Sequence, residues 1–284
     1  MLLNKSLLKE IELKEILTDI NSGNKTWQQE DQTHIIQSMM LHIGSLDSEL
    51  RDDLIYGSFY ELILEKNVLE HSLLTDLLDY SLKDLLFNGI TERESDLVFT
   101  RTFTSLLIAL ILHRDHEDDF LSEDKINDCK EQLLAYLSAE TDVRGYVPGK
   151  GWAHSVAHMA DAIDELVKNP KLNKDSYIEI VSALWNAVLQ ENYAFIHNED
   201  ERILVPIFTM LEQGLEEQEI IKLLQELPIT LMGRKEQLDV QHHRILLFNC
   251  KAFLKSFYIK TNGKPKFVAL HNGIEACLDE IVRK

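Results

Sequence analysis

Proline and glycine are scarce in this chain, five and eleven among 284 residues. So little turn chemistry argues against a fold of many short strands and for long uninterrupted helices. Cysteine is scarcer still. Cys129, Cys250 and Cys277 are odd in number and far apart, with no CxxC pair, which argues against a disulfide framework and against a thiolate zinc site. Long apolar runs are missing too: the longest, Leu106 to Leu112, is too short to span a bilayer. The stretch MLLNKSLLKEIELKE has neither the apolar core nor the small-residue cleavage site of a secretory signal. Positive charge is in deficit, with 29 basic against 48 acidic residues and a formal net charge of −19. Such a surface repels phosphate backbones and anionic lipid headgroups. Arg234-Lys235 and Lys251 to Lys266 are spread among apolar residues rather than gathered in a patch. The expectation is a cytoplasmic protein with neither nucleic acid nor membrane as partner.

What is present is helical periodicity. Apolar residues recur at helical spacing from Lys5 to Ile20, where Asn21-Ser22-Gly23-Asn24 ends the pattern. Asp31 caps a second helix stopped at Gly44, a third runs from Leu46 to Lys66, and a fourth follows Asn67 and runs to Phe87. Thr91 and Glu94 have the spacing of a capping box and predict a fifth helix ending near His113. The segment DHEDDFLSED, 115–124, has six acids in ten positions and reads as a solvated loop. Further helices are expected over 124–139, 151–168, 175–190, 201–213, 216–227, 235–258 and 264–282, and no stretch reads as strand. Short connections favour antiparallel neighbours. The fold expected is a single all-α domain over 1–284, with helix pairs in an irregular HEAT-like right-handed superhelix. A closed α/α ring is the alternative.

One stretch differs from the rest. Residues 142–168, DVRGYVPGKGWAHSVAHMADAIDELVK, join a glycine-rich turn, paired histidines and a helical pattern. If Gly151 opens a helix, then at about 100° per residue His154, His158, Asp161 and Glu165 share one narrow face. Two imidazoles one turn apart with a carboxylate can chelate a divalent transition metal. Without metal, a histidine oriented by an aspartate can act as a general base. HSVAH has the spacing of HExxH but serine in place of the glutamate base, so a zincin protease is not supported. The same polar stripe is also what a solvated helix face looks like. The turn itself, Arg144 to Gly151, suggests anion capture by amides at a helix start beside Arg144 and Lys150, with Tyr146 and Trp152 as neighbours. It is not a Walker loop, because the glycine spacing is one residue short and Gly151 replaces the Ser/Thr. The plain alternative is a structural turn whose glycines supply positive φ.

A second cluster, Glu199-Asp200-Glu201-Arg202, follows His197. It reads either as acids at a helix N-terminus or as part of a site. Together the two segments resemble the uncharacterised bacterial family called domain of unknown function 2785. The residues that carry the likeness are Arg144, Gly145 and Tyr146; Gly151, Trp152, Ala153 and His154; His158; Ala160 and Asp161; and Glu199 to Arg202. The resemblance implies a bacterial cytoplasmic origin, an all-helical fold and one site drawn from both segments. It implies no activity.

Two functions are therefore expected to compete. In one, His154, His158 and Asp161 bind a metal ion or act in catalysis, while Arg144, Tyr146, Lys150, Trp152, Glu199, Asp200 and Arg202 hold a small anionic ligand. In the other, a non-enzymatic helical-repeat scaffold recruits a basic protein through its acidic surface.

Overall fold

The computed structural model describes residues 6–283, so the expected helix start at Lys5 lies outside the described residues. The helices are α1 (Glu10–Asn21), α2 (Gln32–Leu41), α3 (49–65), α4 (71–85), α5 (Leu97–Asp118), α6 (Glu123–Ala139), α7 (Ser155–Lys168), α8 (Tyr177–Val188), α9 (Glu199–Gln213), α10 (Glu217–Lys235), α11 (Val240–Thr261) and α12 (Val268–Arg283). A two-residue hairpin, β1 (Tyr146–Val147) and β2 (Gly151–Trp152), pairs antiparallel before α7. The all-α class holds, with that hairpin as the one departure among the described residues.

The chain groups into two compact units, each assembled from two segments. The first comprises 1–121 and 139–162, the second 122–138 and 163–284.

The first unit is built on α5. Arg101 to Leu112 are all buried, with Val98 and Phe99 before them, so this helix has no solvated face along its middle. Length and composition alone would let α5 cross a membrane, yet 83% of its most apolar window is buried inside the protein. Helices α3 and α4 pack against it, and α1 packs on α3 and α2. Gly44, expected as a helix stop, serves a different end: α2 already ends at Leu41, and a Cβ at 44 would lie 2.1 Å from Thr100 Oγ1. Only glycine lets the chain approach α5 there. Three stretches of α3 and α4, Glu49–Tyr56, Glu61–Glu65 and Ser81–Leu85, are π-helical. That geometry is rare beyond a single turn and no periodicity announces it.

The second unit packs α10 on α12, α11 on α12 and α9, and α8 on α9. Its core is aliphatic and aromatic, with Trp185, Phe253 and Phe257 buried among leucines. Asn249, wholly buried, ties down the loop between α8 and α9. Its Oδ1 accepts from Phe195 N at 2.7 Å, and its Nδ2 donates to the carbonyls of Gln190 and Tyr193, each at 2.9 Å.

Several local expectations are corrected. The fifth helix starts six residues after Thr91, at Leu97, and Glu94 stands in a left-handed conformation, φ 53°, so no capping box forms. The acidic stretch 115–124 is mostly not a loop. Helix α5 continues through Asp118 to a left-handed cap at Asp119, and buried Asp115 accepts from Leu121 N at 2.6 Å. The helix expected over 216–227 does not stop there but runs on through Pro228 to Lys235.

Candidate functional site

The turn expected to lie at a helix start is the hairpin β1–β2, with Gly149 and Gly151 at φ 77° and 84°. Its shape is enforced from beneath by Arg51, a residue the sequence reading passed over. Arg51 is fully buried, donating from Nη1 to Ser45 O at 2.7 Å and from Nη2 to Lys150 O at 2.8 Å. Its guanidinium lies 4.3 Å from the Phe99 ring centroid and 4.8 Å from that of Phe103. A Cβ at residue 151 would come within 3.0 Å of that guanidinium, so the glycine is needed for fit as well as for φ. Burial pulls the Arg51 pKa down and pushes that of neighbouring Asp52 up. Their contact, Nε to Oδ1 at 2.8 Å, is misaligned for a hydrogen bond. The signal for Arg51 was present: it shares the α3 face of Ile55 and Leu62, so a cation sits within an apolar stripe.

The two cations expected to capture an anion are already engaged. Lys150 Nζ lies 2.6 and 2.7 Å from the two carboxylate oxygens of Asp96. Arg144 donates from Nε and Nη2 to buried Asp142, at 2.8 and 2.6 Å, and from Nη2 to Ser95 O. Asp142 also offers its carbonyl to the Ser155 hydroxyl at 2.7 Å. Upstream, buried Arg101 forms a two-pronged pair with Glu140, at 2.6 and 2.9 Å. These contacts pin 140–155 to the first unit and leave the charges of Arg144 and Lys150 neutralised by partners. Nor does a helix start at Gly151: α7 begins at Ser155, so the hairpin amides are not helix N-terminal donors.

This moves His154 off the helix. It precedes the first turn with φ 51°, its carbonyl accepting from His158 N at 2.9 Å. The wheel angle that put His154 on one face with Asp161 and Glu165 does not apply to it. The rings nevertheless meet. His154 and His158 have centroids 5.8 Å apart, and Trp152 stacks on His154 at 4.5 Å and 17°. Tyr146 meets Trp152 edge-on at 5.0 Å, and Phe103 meets His158 edge-on at 5.4 Å. A row of rings thus runs from exposed Tyr146 (50%) and Trp152 (40%) to buried His158 (8%) and Phe103 (4%).

The solvated-face reading of α7 fails, because none of its residues is exposed; Asp161 and Glu165 are half-buried. Asp164, not singled out from the sequence, accepts from the Thr209 hydroxyl at 2.6 Å and pairs with Lys168 at 2.6 Å. Burial works against the Lys168 charge, but hydrogen bonds to Asp164 and Glu165 outweigh it and raise its pKa. Among the described residues no group of three or more His, Cys, Asp or Glu is placed to hold a metal ion. His154, His158 and Asp161 form no such group.

The second cluster belongs to the other unit. Glu199, Asp200 and Glu201 form the first turn of α9 after Asn198 at φ 67°, where acids meet the positive end of the helix dipole. Glu199 is buried and accepts from His197 N at 2.9 Å; buried Asp200 accepts from the Ser256 hydroxyl at 2.6 Å. Arg202 is half-buried.

A helical chain with a pinned hairpin, two neighbouring histidine rings and an acidic helix start is the class this structure defines. The family described as "Protein of unknown function (DUF2785)" matches residues 86–259, and the chain belongs to it. No curated protein and no solved structure matches the chain.

Proposed function

We propose that the hairpin and the first turn of α7 form a binding site for a small polar molecule with an anionic group. In this reading the imidazoles of His154 and His158 make the polar contacts, and Trp152 and Tyr146 supply the flat apolar surface. The observation that carries it is His154, a non-glycine residue with φ 51° stacked on an exposed indole and tilted against a second imidazole. A left-handed non-glycine residue costs on the order of 1 kcal/mol or more and persists where its surroundings over-determine it, commonly at functional sites. A purely structural turn would tolerate glycine or asparagine there without that cost. Arg144 and Lys150 act on this site by holding the hairpin through Asp142 and Asp96, not by touching the ligand.

The catalytic form of the proposal gives His154 or His158 the part of general base, with Asp161 the next acid along α7. The finer architecture proposed is HEAT-like pairing, supported in the second unit by the packing of α8 on α9 and of α11 on α12.

The test is a thermal-shift screen of small carboxylates, phosphates and sulfonates against the full chain. Binders should stabilise the wild type and fail to stabilise His154→Ala and His158→Ala proteins that retain wild-type circular dichroism. A screen with no binder, or binders indifferent to both substitutions, contradicts the proposal.

A further inference from the structure

Helix α11 is the exception to the acidity of this chain. From Val240 to Ile274 the sequence holds six basic residues, Arg244, Lys251, Lys255, Lys260, Lys264 and Lys266, and no Asp or Glu. At about 100° per residue, Val240, Arg244, Phe248, Lys251, Lys255 and Ile259 fall within an arc of about 100° on one side of the helix. The opposite side, Leu246, Asn249, Cys250, Phe253, Leu254 and Phe257, is buried in the second unit. The first side faces outward. Val240 and Ile259 are each 72% exposed and Phe248 is 47% exposed. Arg244 and Lys255 are exposed and Lys251 is half-buried. Among the described residues none of these three cations has an ion-pair partner. In a chain with 48 acidic residues, three unneutralised cations on one exposed helical side amount to a local field of the opposite sign.

Beside that side lies a groove of about 300 Å³, walled by Pro228, Leu231 and Met232 of α10, Leu247 of α11 and Ile281 of α12. Lys235 and His243 also line it, and no carboxylate does. Met232 is 53% exposed and its neighbour Ile229 is 67% exposed, so apolar surface continues over the rim. An apolar groove with Lys235 in its lining, beside a helix side that carries Arg244, Lys251 and Lys255, matches one kind of occupant. We infer that α11 and this groove dock an acidic amphipathic helix of a partner protein. Its apolar side chains would enter the groove, and its carboxylates would meet Lys235, Arg244, Lys251 and Lys255. A bilayer is the poorer fit, because a flat surface leaves a concave groove unfilled. The proposal reverses the sign expected from net charge alone, which predicts a basic partner. It concerns the second unit only and stands apart from the His154 site.

The experiment is selection against the full chain from a display library of helical peptides of varied charge and apolar spacing. Enriched peptides are then measured by fluorescence anisotropy. The expected result is enrichment of sequences with Asp or Glu and large apolar residues at i, i+3, i+4 spacing. Their affinity should fall about tenfold or more from low to moderate salt, and similarly in an Arg244→Glu/Lys251→Glu/Lys255→Glu variant and in Met232→Glu. All four substituted positions are exposed or half-buried, and circular dichroism checks that the variants fold. Enrichment of neutral or basic peptides, no enrichment, or affinity unchanged in both variants overturns the inference. So does co-sedimentation with phosphatidylserine vesicles, or self-association by ultracentrifugation, if the same variants abolish it, since the surface would then serve a membrane or a second copy.

Discussion

Replacing Arg51 with methionine should loosen the hairpin more than any surface change near it. The substitution removes two charge-assisted hydrogen bonds to carbonyl oxygens, at 2.7 and 2.8 Å, each contributing about 1.5–3 kcal/mol. It also removes a desolvated cation over two rings, about 2 kcal/mol more. Against this stands recovery of the cost of burying a guanidinium, several kcal/mol, which is why the Arg51 pKa is pulled down. Methionine restores the apolar contact but cannot satisfy the Ser45 and Lys150 carbonyls, and it leaves Asp52 without its neighbouring charge. Breaking a buried pair from one side commonly costs about 3–5 kcal/mol, so a net loss of about 3 kcal/mol is expected. Lysine should recover only part of it, because an ammonium cannot fork to both carbonyls or lie flat on Phe99. The assay is urea unfolding combined with amide hydrogen exchange at Gly151, Trp152 and Ala153. These amides should exchange faster in Arg51→Met under conditions where the second unit is unchanged. A loss below about 1 kcal/mol, small against the effect expected, with hairpin exchange unaltered would refute the claim that Arg51 holds the turn.

Other outcomes follow from single residues. Asn249→Leu should cost about 3 kcal/mol, about 1 for each of three lost hydrogen bonds, and should speed proteolysis within 190–198. Unchanged cleavage kinetics would contradict that. Burial pushes Cys250 and Cys277 up to about 12, so both should stay unreacted with iodoacetamide until denaturant is added; rapid labelling of the folded protein would count against this packing. Acid stability should show two opposite signatures. The Asp118 carboxyl is held below its usual value by Arg114 first and His71 second. Its contribution is therefore present above pH 3.8 and lost as the pH falls through the lower folded value. Asp118→Asn should be destabilised at neutral pH and converge on wild type in acid. Asp52 is raised by burial, so its charge penalises the fold increasingly as the pH rises above 3.8. Relative to wild type, Asp52→Asn should gain stability over that rise, and a parallel pH profile would be the contrary result.

The helices were legible because an amphipathic stripe needs only local spacing. Asp31 capping α2 is such a case: its side chain accepts from His34 N as expected. The misses have a common physical origin, long-range partners. Helix α5 overran its expected end because Asp115 finds the Leu121 amide inside the protein instead of solvent. The hairpin formed because Arg51, about a hundred residues upstream, offers its carbonyl a buried donor. The anion-capture reading weighed Arg144 and Lys150 as free charges, while Asp142 and Asp96 had already claimed them. The pairing of His154 with His158 was legible by spacing, but for a wrong reason, since His154 reaches its neighbour from outside the helix.

The account rests on the His154–His158 pair behind Trp152 being where a ligand meets this protein. Its most direct test is a nuclear magnetic resonance titration of the full chain with the strongest binder from the small-anion screen. The Trp152 indole resonance would be assigned by Trp152→Phe and the imidazole resonances by single substitution. The account predicts that Trp152, His154 and His158 shift together with one saturation curve while the buried indoles of Trp27 and Trp185 stay still. Shifts confined to the second unit, or a saturating ligand that leaves the three rings unmoved, would contradict it.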